Sequence, residues 1–90
     1  MVTRLRLEIP GVTSLKEKRH ILKSLLTKMR NEFNVSIAEV GLNDILRQAE
    51  IAAAVVANDT AFAHEVMDKL VRRVEGRSDV LLAQIITESY

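Results

Sequence analysis

Glu39, Asp44 and Glu50 flank one short connection and lie close enough in sequence to approach one another in space. A carboxylate cluster of that kind can hold a hard cation through oxygen ligands, or divide the work of general acid and general base. The rest of the chain supplies none of the groups such an enzyme needs beside it. There is no Cys, which removes disulfides, thiolate metal ligands and thiol nucleophiles. His20 and His64 stand far apart, in neither HxH nor HxxxH spacing, and read as surface histidines rather than metal ligands. The three Gly residues form no GxGxxG or Walker pattern. The reading is therefore of a protein that is not an enzyme, with no catalytic residue, no metal or cofactor and no identifiable small-molecule substrate.

Charge is the more uneven feature. Residues 16 to 30 hold Lys16, Lys18, Arg19, Lys23, Lys28 and Arg30 against a single acid, Glu17. At about 100° per residue on a helix, Lys16, Arg19, Lys23 and Arg30 fall within a sector of roughly 60°. A basic stripe along a helix is the footprint of a phosphate-backbone contact, which asks for charge and reach rather than a particular side-chain shape. The same stripe also serves as a solubilising face, since Lys and Arg are good helix formers. The net charge of +1 conceals the polarity. Residues 1 to 30 carry eight basic and two acidic side chains, whereas residues 31 to 90 carry five basic and ten acidic. What the average excludes is a polycation that coats nucleic acid, not a local basic docking surface.

The elements that must hold these residues follow from periodicity. Leu5, Leu7 and Ile9 alternate with Arg4, Arg6 and Glu8, a half-buried strand that Pro10-Gly11 terminates. Ser14-Leu15-Lys16-Glu17 reads as a capping box opening a helix. Along it Leu15, Leu22, Leu25, Leu26 and Met29 share one side, until the polar stretch Asn31 to Asn34. Phe33, Val35 and Ile37 then alternate as a second strand, and Gln48 to Ala57 reads as a third, apolar enough for a central position. Asn58-Asp59-Thr60 offers N-caps for a second helix to about Glu75, with Phe62, Val66, Met67, Leu70, Val71 and Val74 inward. Glu65–Lys69 and Asp68–Arg72 are spaced as ion pairs on its wet side. Gly76 stops that helix, and Val80 to Thr87 forms the last strand.

The order βαββαβ predicts one α+β domain over residues 1–90 with the ferredoxin-like arrangement, a four-stranded antiparallel sheet with both helices on one face. Alternation puts Arg4, Arg6, Ser36, Ala38, Glu50, Ala52 and Ala54 on the uncovered face. The arginines there can pair with Glu50 or another carboxylate across strands, so they do not extend the helix stripe, which points away from the other face. The base-stacking mechanism of RNA-recognition modules needs aromatic rings on this face. The chain has only Phe33, Phe62 and Tyr90, and two of those are assigned to the core, so that mechanism fails. Any RNA contact is then by backbone and shape. A flat face of Arg4, Arg6, Ala38, Glu50, Ala52 and Ala54 can alternatively pair two sheets in a homodimer, and the apolar Leu42, Ile45 and Leu46 of the hairpin connection either fold over the sheet edge or extend that contact. The longest apolar run, Ile51 to Ala57, is far short of the roughly 18 residues of a membrane span, so no membrane partner is expected. The opening Met-Val-Thr-Arg-Leu-Arg carries no signal-peptide core, which makes the cytoplasm the expected location.

Ile9-Pro10-Gly11-Val12-Thr13-Ser14-Leu15-Lys16-Glu17-Lys18-Arg19 resembles the IPGxxSLKEKR opening of the YlxP-like proteins. Asn34 to Val40, Gln48-Ala49-Glu50 and Asn58-Asp59 continue the likeness over nearly the whole chain. The resemblance implies a small bacterial protein of unknown function with a ferredoxin-like fold. Genes for such proteins are commonly found beside those for translation initiation and ribosome-binding factor A, which implies a partner near ribosomal RNA or the small ribosomal subunit. Within the motif, Ser14 and Glu17 are expected to cap the helix, Lys16 and Arg19 to face a ligand, and Lys18 to snorkel past the helix edge. The family commonly has Gly where Ala52 stands. Taken together, the expectation is a binding module that contacts structured RNA or a ribosomal particle through Lys16, Arg19, Lys23 and Arg30. The alternative is a homodimeric interaction module that uses the open sheet face.

Overall fold

The computed structural model describes residues 1–88; Tyr90 lies outside them. The elements are β1 (Val2–Glu8), α1 (Leu15–Glu32), β2 (Ser36–Gly41), β3 (Gln48–Ala54), α2 (Thr60–Glu75) and β4 (Leu81–Glu88). They build one antiparallel sheet in the order β2-β3-β1-β4, the ferredoxin-like arrangement that the alternation and helical spacing predict.

Alternation along β1 sends Leu5 and Leu7 to full burial under the helices and leaves Arg4, Arg6 and Glu8 exposed. β3 does the same with Ala49, Ile51 and Ala53. Leu22, Leu25 and Met29 of α1, with Met67, Leu70 and Val74 of α2, close the core from above. The connections contribute Ile9, Val12, Val55 and Val80 to it, so the apolar pattern extends past the strict strand ends.

Both helix starts obey their caps. The backbone N–H of Glu17 donates to Ser14 Oγ at 3.1 Å, and that of Ala61 donates to Asp59 Oδ1 at 2.9 Å. The reciprocal half of the first box differs from expectation. Glu17 Oε2 accepts from the Thr13 hydroxyl at 3.2 Å, one residue before the cap. At the other end of α2, Gly76 keeps a right-handed φ of −75° while its N–H donates to the carbonyl of Arg72, so no left-handed cap is used.

One strand boundary and one inward assignment are corrected. Phe33 and Val35 precede β2, which starts at Ser36, and they pack half-buried against the core. Phe62 is 54% exposed, because at the first turn of α2 it overhangs the groove beside α1 and not the sheet. Ala63 takes the buried position instead.

Candidate nucleic-acid interface

The position of α1 is set by one buried cation. Lys18 is only 1% exposed, at the centre of the apolar sector between Leu22, Leu25 and Met29. Its Nζ donates to the carbonyls of Leu42 and Ile45 at 2.7 and 2.6 Å and, more weakly, to that of Asn43 at 3.4 Å. Glu39 Oε2 lies 3.6 Å away and has no hydrogen bond of its own. The expectation that Lys18 snorkels to solvent is therefore wrong. A buried ammonium needs acceptors, and the β2–β3 connection folds three carbonyls around it. The left-handed backbone of Leu42, at φ 59°, belongs to the turn that aims them. Lys18 thus ties the N-terminal half of α1 to the hairpin.

The flanks of α1 then face opposite ways. On one side Glu32 Oε2 forms an ion pair with Arg73 Nε at 2.8 Å, joining α1 to α2. On the other, Arg30 donates to the Ile37 carbonyl at 2.7 Å, reaching across the edge strand β2. Lys23 stands two turns before Arg30 on that same flank, and Arg19 one turn before Lys23. The basic stripe therefore overhangs the β2 edge, away from α2.

Lys16, Arg19 and Lys23 are exposed, and none of them forms an ion pair among the described residues. Lys28 is also unpaired, but it sits on the α2 flank, where it contributes to the field at Asp79. Arg30 differs from the other three, since part of its guanidinium is already committed to Ile37. Elsewhere Arg6, Arg47 and Arg72 also form no ion pair among the described residues, but other cations are matched. Lys69 pairs with Glu65 at 3.0 Å, and Arg77 grips Asp79 through two bonds of 2.8 and 2.9 Å. That grip holds the Asp79 carboxyl below the usual value, chiefly through the side-chain hydrogen bonds.

The uncovered sheet face holds the residues that alternation assigns to it. Arg4 and Ala52 are cross-strand partners, as are Arg6 and Glu50, and Ala38 and Ala52. Arg4 is neutralised between Glu50 at 3.7 Å and Glu88 at 3.4 Å. Ala38, Ala52 and Ala54 floor a shallow apolar hollow beside Val2. No aromatic ring lies on this face among the described residues.

The carboxylate cluster does not form. Glu39 points to the helix side toward Lys18, whereas Glu50 lies on the opposite face with Arg4. The described residues contain no group of three metal-capable side chains. His20 and His64 are both exposed. A feature that the sequence reading missed is a groove of about 730 Å³ between the C-terminal end of α1 and α2, with Phe33, Val55, Val56, Phe62 and Val66 among its lining. The half-exposed Phe62 was its signal. No helix of the described residues is long and apolar enough to cross a membrane.

Comparison with known proteins places this arrangement. The chain is 31% identical over 67 residues to the uncharacterized protein YlxP of Bacillus subtilis (strain 168), covering 74% of this chain and 73% of that protein. A family model described as "Protein of unknown function (DUF503)" matches residues 1–87. With nearly its whole length matched, the chain belongs to the DUF503 family and is a relative of YlxP.

Proposed function

We propose that this protein is a binding module that docks on the phosphate backbone of structured RNA, in a ribosomal particle, through the β2-side flank of α1. The observation that carries the reading is the clustering of the unpaired Lys16, Arg19 and Lys23 on one flank, whereas elsewhere cations are matched by carboxylates, as Arg4, Lys69, Arg73 and Arg77 are, or stand unpaired singly, as Arg6 and Arg72 do. From Lys16 to Arg30 the stripe runs about 21 Å, at 1.5 Å of rise per residue. Such a length spans several phosphates of a nucleic-acid strand. Phosphate contacts fix register and orientation without reading bases, which suits a surface of flexible cations with no aromatic platform. The genes that commonly neighbour YlxP-like proteins support a ribosomal setting for that RNA.

Capture from cell lysate tests the proposal. The tagged protein retains ribosomal RNA at low salt, releases it at high salt, and loses it after nuclease treatment. Retention of the same protein partners after complete nuclease digestion would count against an RNA contact.

A further inference from the structure

The sheet has two edges, β2 and β4, and only one is protected. β2 is six residues long, carries a register shift between Glu39 and Gly41, and has the Arg30 guanidinium on its Ile37 carbonyl. A short strand, a bulge and an edge cation are devices that discourage a further strand from adding. β4 runs eight residues with no Lys, Arg or Pro. Its register shift lies before Gln84, which leaves Gln84 to Glu88 regular against β1. Leu81, Ile85 and Ile86 are 55%, 47% and 39% exposed, so apolar surface shows on both faces of the open edge. Long apolar edges of this kind are templates for strand addition.

We infer that β4 is the contact edge of a homodimer, in which a second copy adds its own β4 antiparallel across a twofold axis near Ile85. The choice of a second copy rests on charge. Ile85 shares a groove with Asp68, Val71 and Arg72 of α2. Asp68 and Arg72 are spaced for an i,i+4 ion pair, yet they form none, whereas Glu65 and Lys69 on the same helix do. Both line the groove that Ile85 borders. A twofold axis there runs two copies of α2 in opposite directions and sets Asp68 of each copy against Arg72 of the other. An isologous contact requires such self-matching. The pairing joins the two sheets into one of eight strands and leaves the Arg4 face open. Because β2 is the far edge, the basic flanks of α1 stay free at the two ends, and the dimer is independent of the RNA reading.

Sedimentation equilibrium of the full chain tests it. The expected mass is twice the monomer's 10.1 kDa, with concentration-dependent dissociation. Ile85→Lys returns the mass to that of the monomer with an unchanged circular dichroism spectrum. Asp68→Arg weakens the dimer about tenfold or more through like-charge repulsion, and Asp68→Arg with Arg72→Asp restores it to within a few-fold. These helix side chains form no hydrogen bond or ion pair within the monomer, so the swap reads the interface even if Ile85→Lys misfolds. A monomeric wild type at the highest attainable concentration overturns the proposal. A dimer indifferent to Ile85→Lys, or a double swap that fails to restore association, overturns it equally.

Discussion

Lys18 Nζ lies 2.6 Å from the carbonyl oxygen of Ile45, a contact between the first helix and a turn 27 residues away. With the Leu42 carbonyl at 2.7 Å and Glu39 at 3.6 Å, it makes a fully buried ammonium the joint between α1 and the β2–β3 hairpin. The Lys18 of the SLKEKR segment is thus a positioning residue. It holds rigid the helix whose neighbouring Lys16 and Arg19 point to solvent.

Replacing Lys18 therefore destabilises the fold more than replacing any surface lysine. Lys18→Met keeps the volume but strands three carbonyls and Glu39, and breaking such a buried set costs about 3–5 kcal/mol. For a chain of this size each kcal/mol lowers Tm by about 4–8 °C, so the expected fall is at least about 12 °C. Glu39→Gln, at a partly exposed partner, costs less than about 1 kcal/mol. Thermal melts of the two variants check the order, and equal losses would contradict the assignment.

Two of the six inward-reading residues of α2 separate in urea unfolding. Leu70 is fully buried, and Leu70→Ala costs about 2–5 kcal/mol through lost transfer energy and the cavity left behind. Phe62→Ala, at the exposed rim of the groove, costs under about 1 kcal/mol. Urea unfolding midpoints with unchanged slopes would register this difference.

Acid sensitivity traces in part to Asp79. The carboxyl sits below its ordinary value of 3.8 because the Arg77 guanidinium binds it through two hydrogen bonds. The unfolded chain then binds the proton more readily than the folded one, so this contribution is complete above that ordinary value and fades as pH drops through the lower folded value. Asp79 is partly exposed and the effect is screened. Asp79→Asn should give a slightly smaller fall in Tm between pH 7 and pH 3 than wild type. An identical or larger fall would contradict the linkage.

Most of the fold was legible because each strand alternates and each helix keeps its period. Leu5 and Leu7 against Arg4 and Arg6 define β1 without help from the rest of the chain. The opposed positions of Glu39 and Glu50 were also legible by parity. Glu39 falls in phase with buried Ile37, and Glu50 falls out of phase with buried Ile51. Lys18 misled because its type argued for solvent while its angle put it among Leu22, Leu25 and Met29. The acceptors that resolve the conflict come from a distant turn with no local trace. Phe62 misled for the converse reason, as an apolar residue at helical spacing whose turn lies beyond the sheet. The unpaired state of Lys16, Arg19 and Lys23 depends on which acids the fold brings near them, and composition cannot give that.

The most direct measurement is the salt dependence of binding to purified small-subunit ribosomal RNA. The variant carries Lys16→Gln, Arg19→Gln and Lys23→Gln. Each phosphate contact contributes about 0.7–0.9 to the slope of log K against log salt. The triple variant should bind more weakly at low salt, with a slope shallower by about 2–3. Arg4→Gln with Lys69→Gln, which removes two cations already paired within the chain, should leave the slope unchanged. Equal slopes for wild type and the triple variant would contradict the α1 flank as the RNA-docking surface.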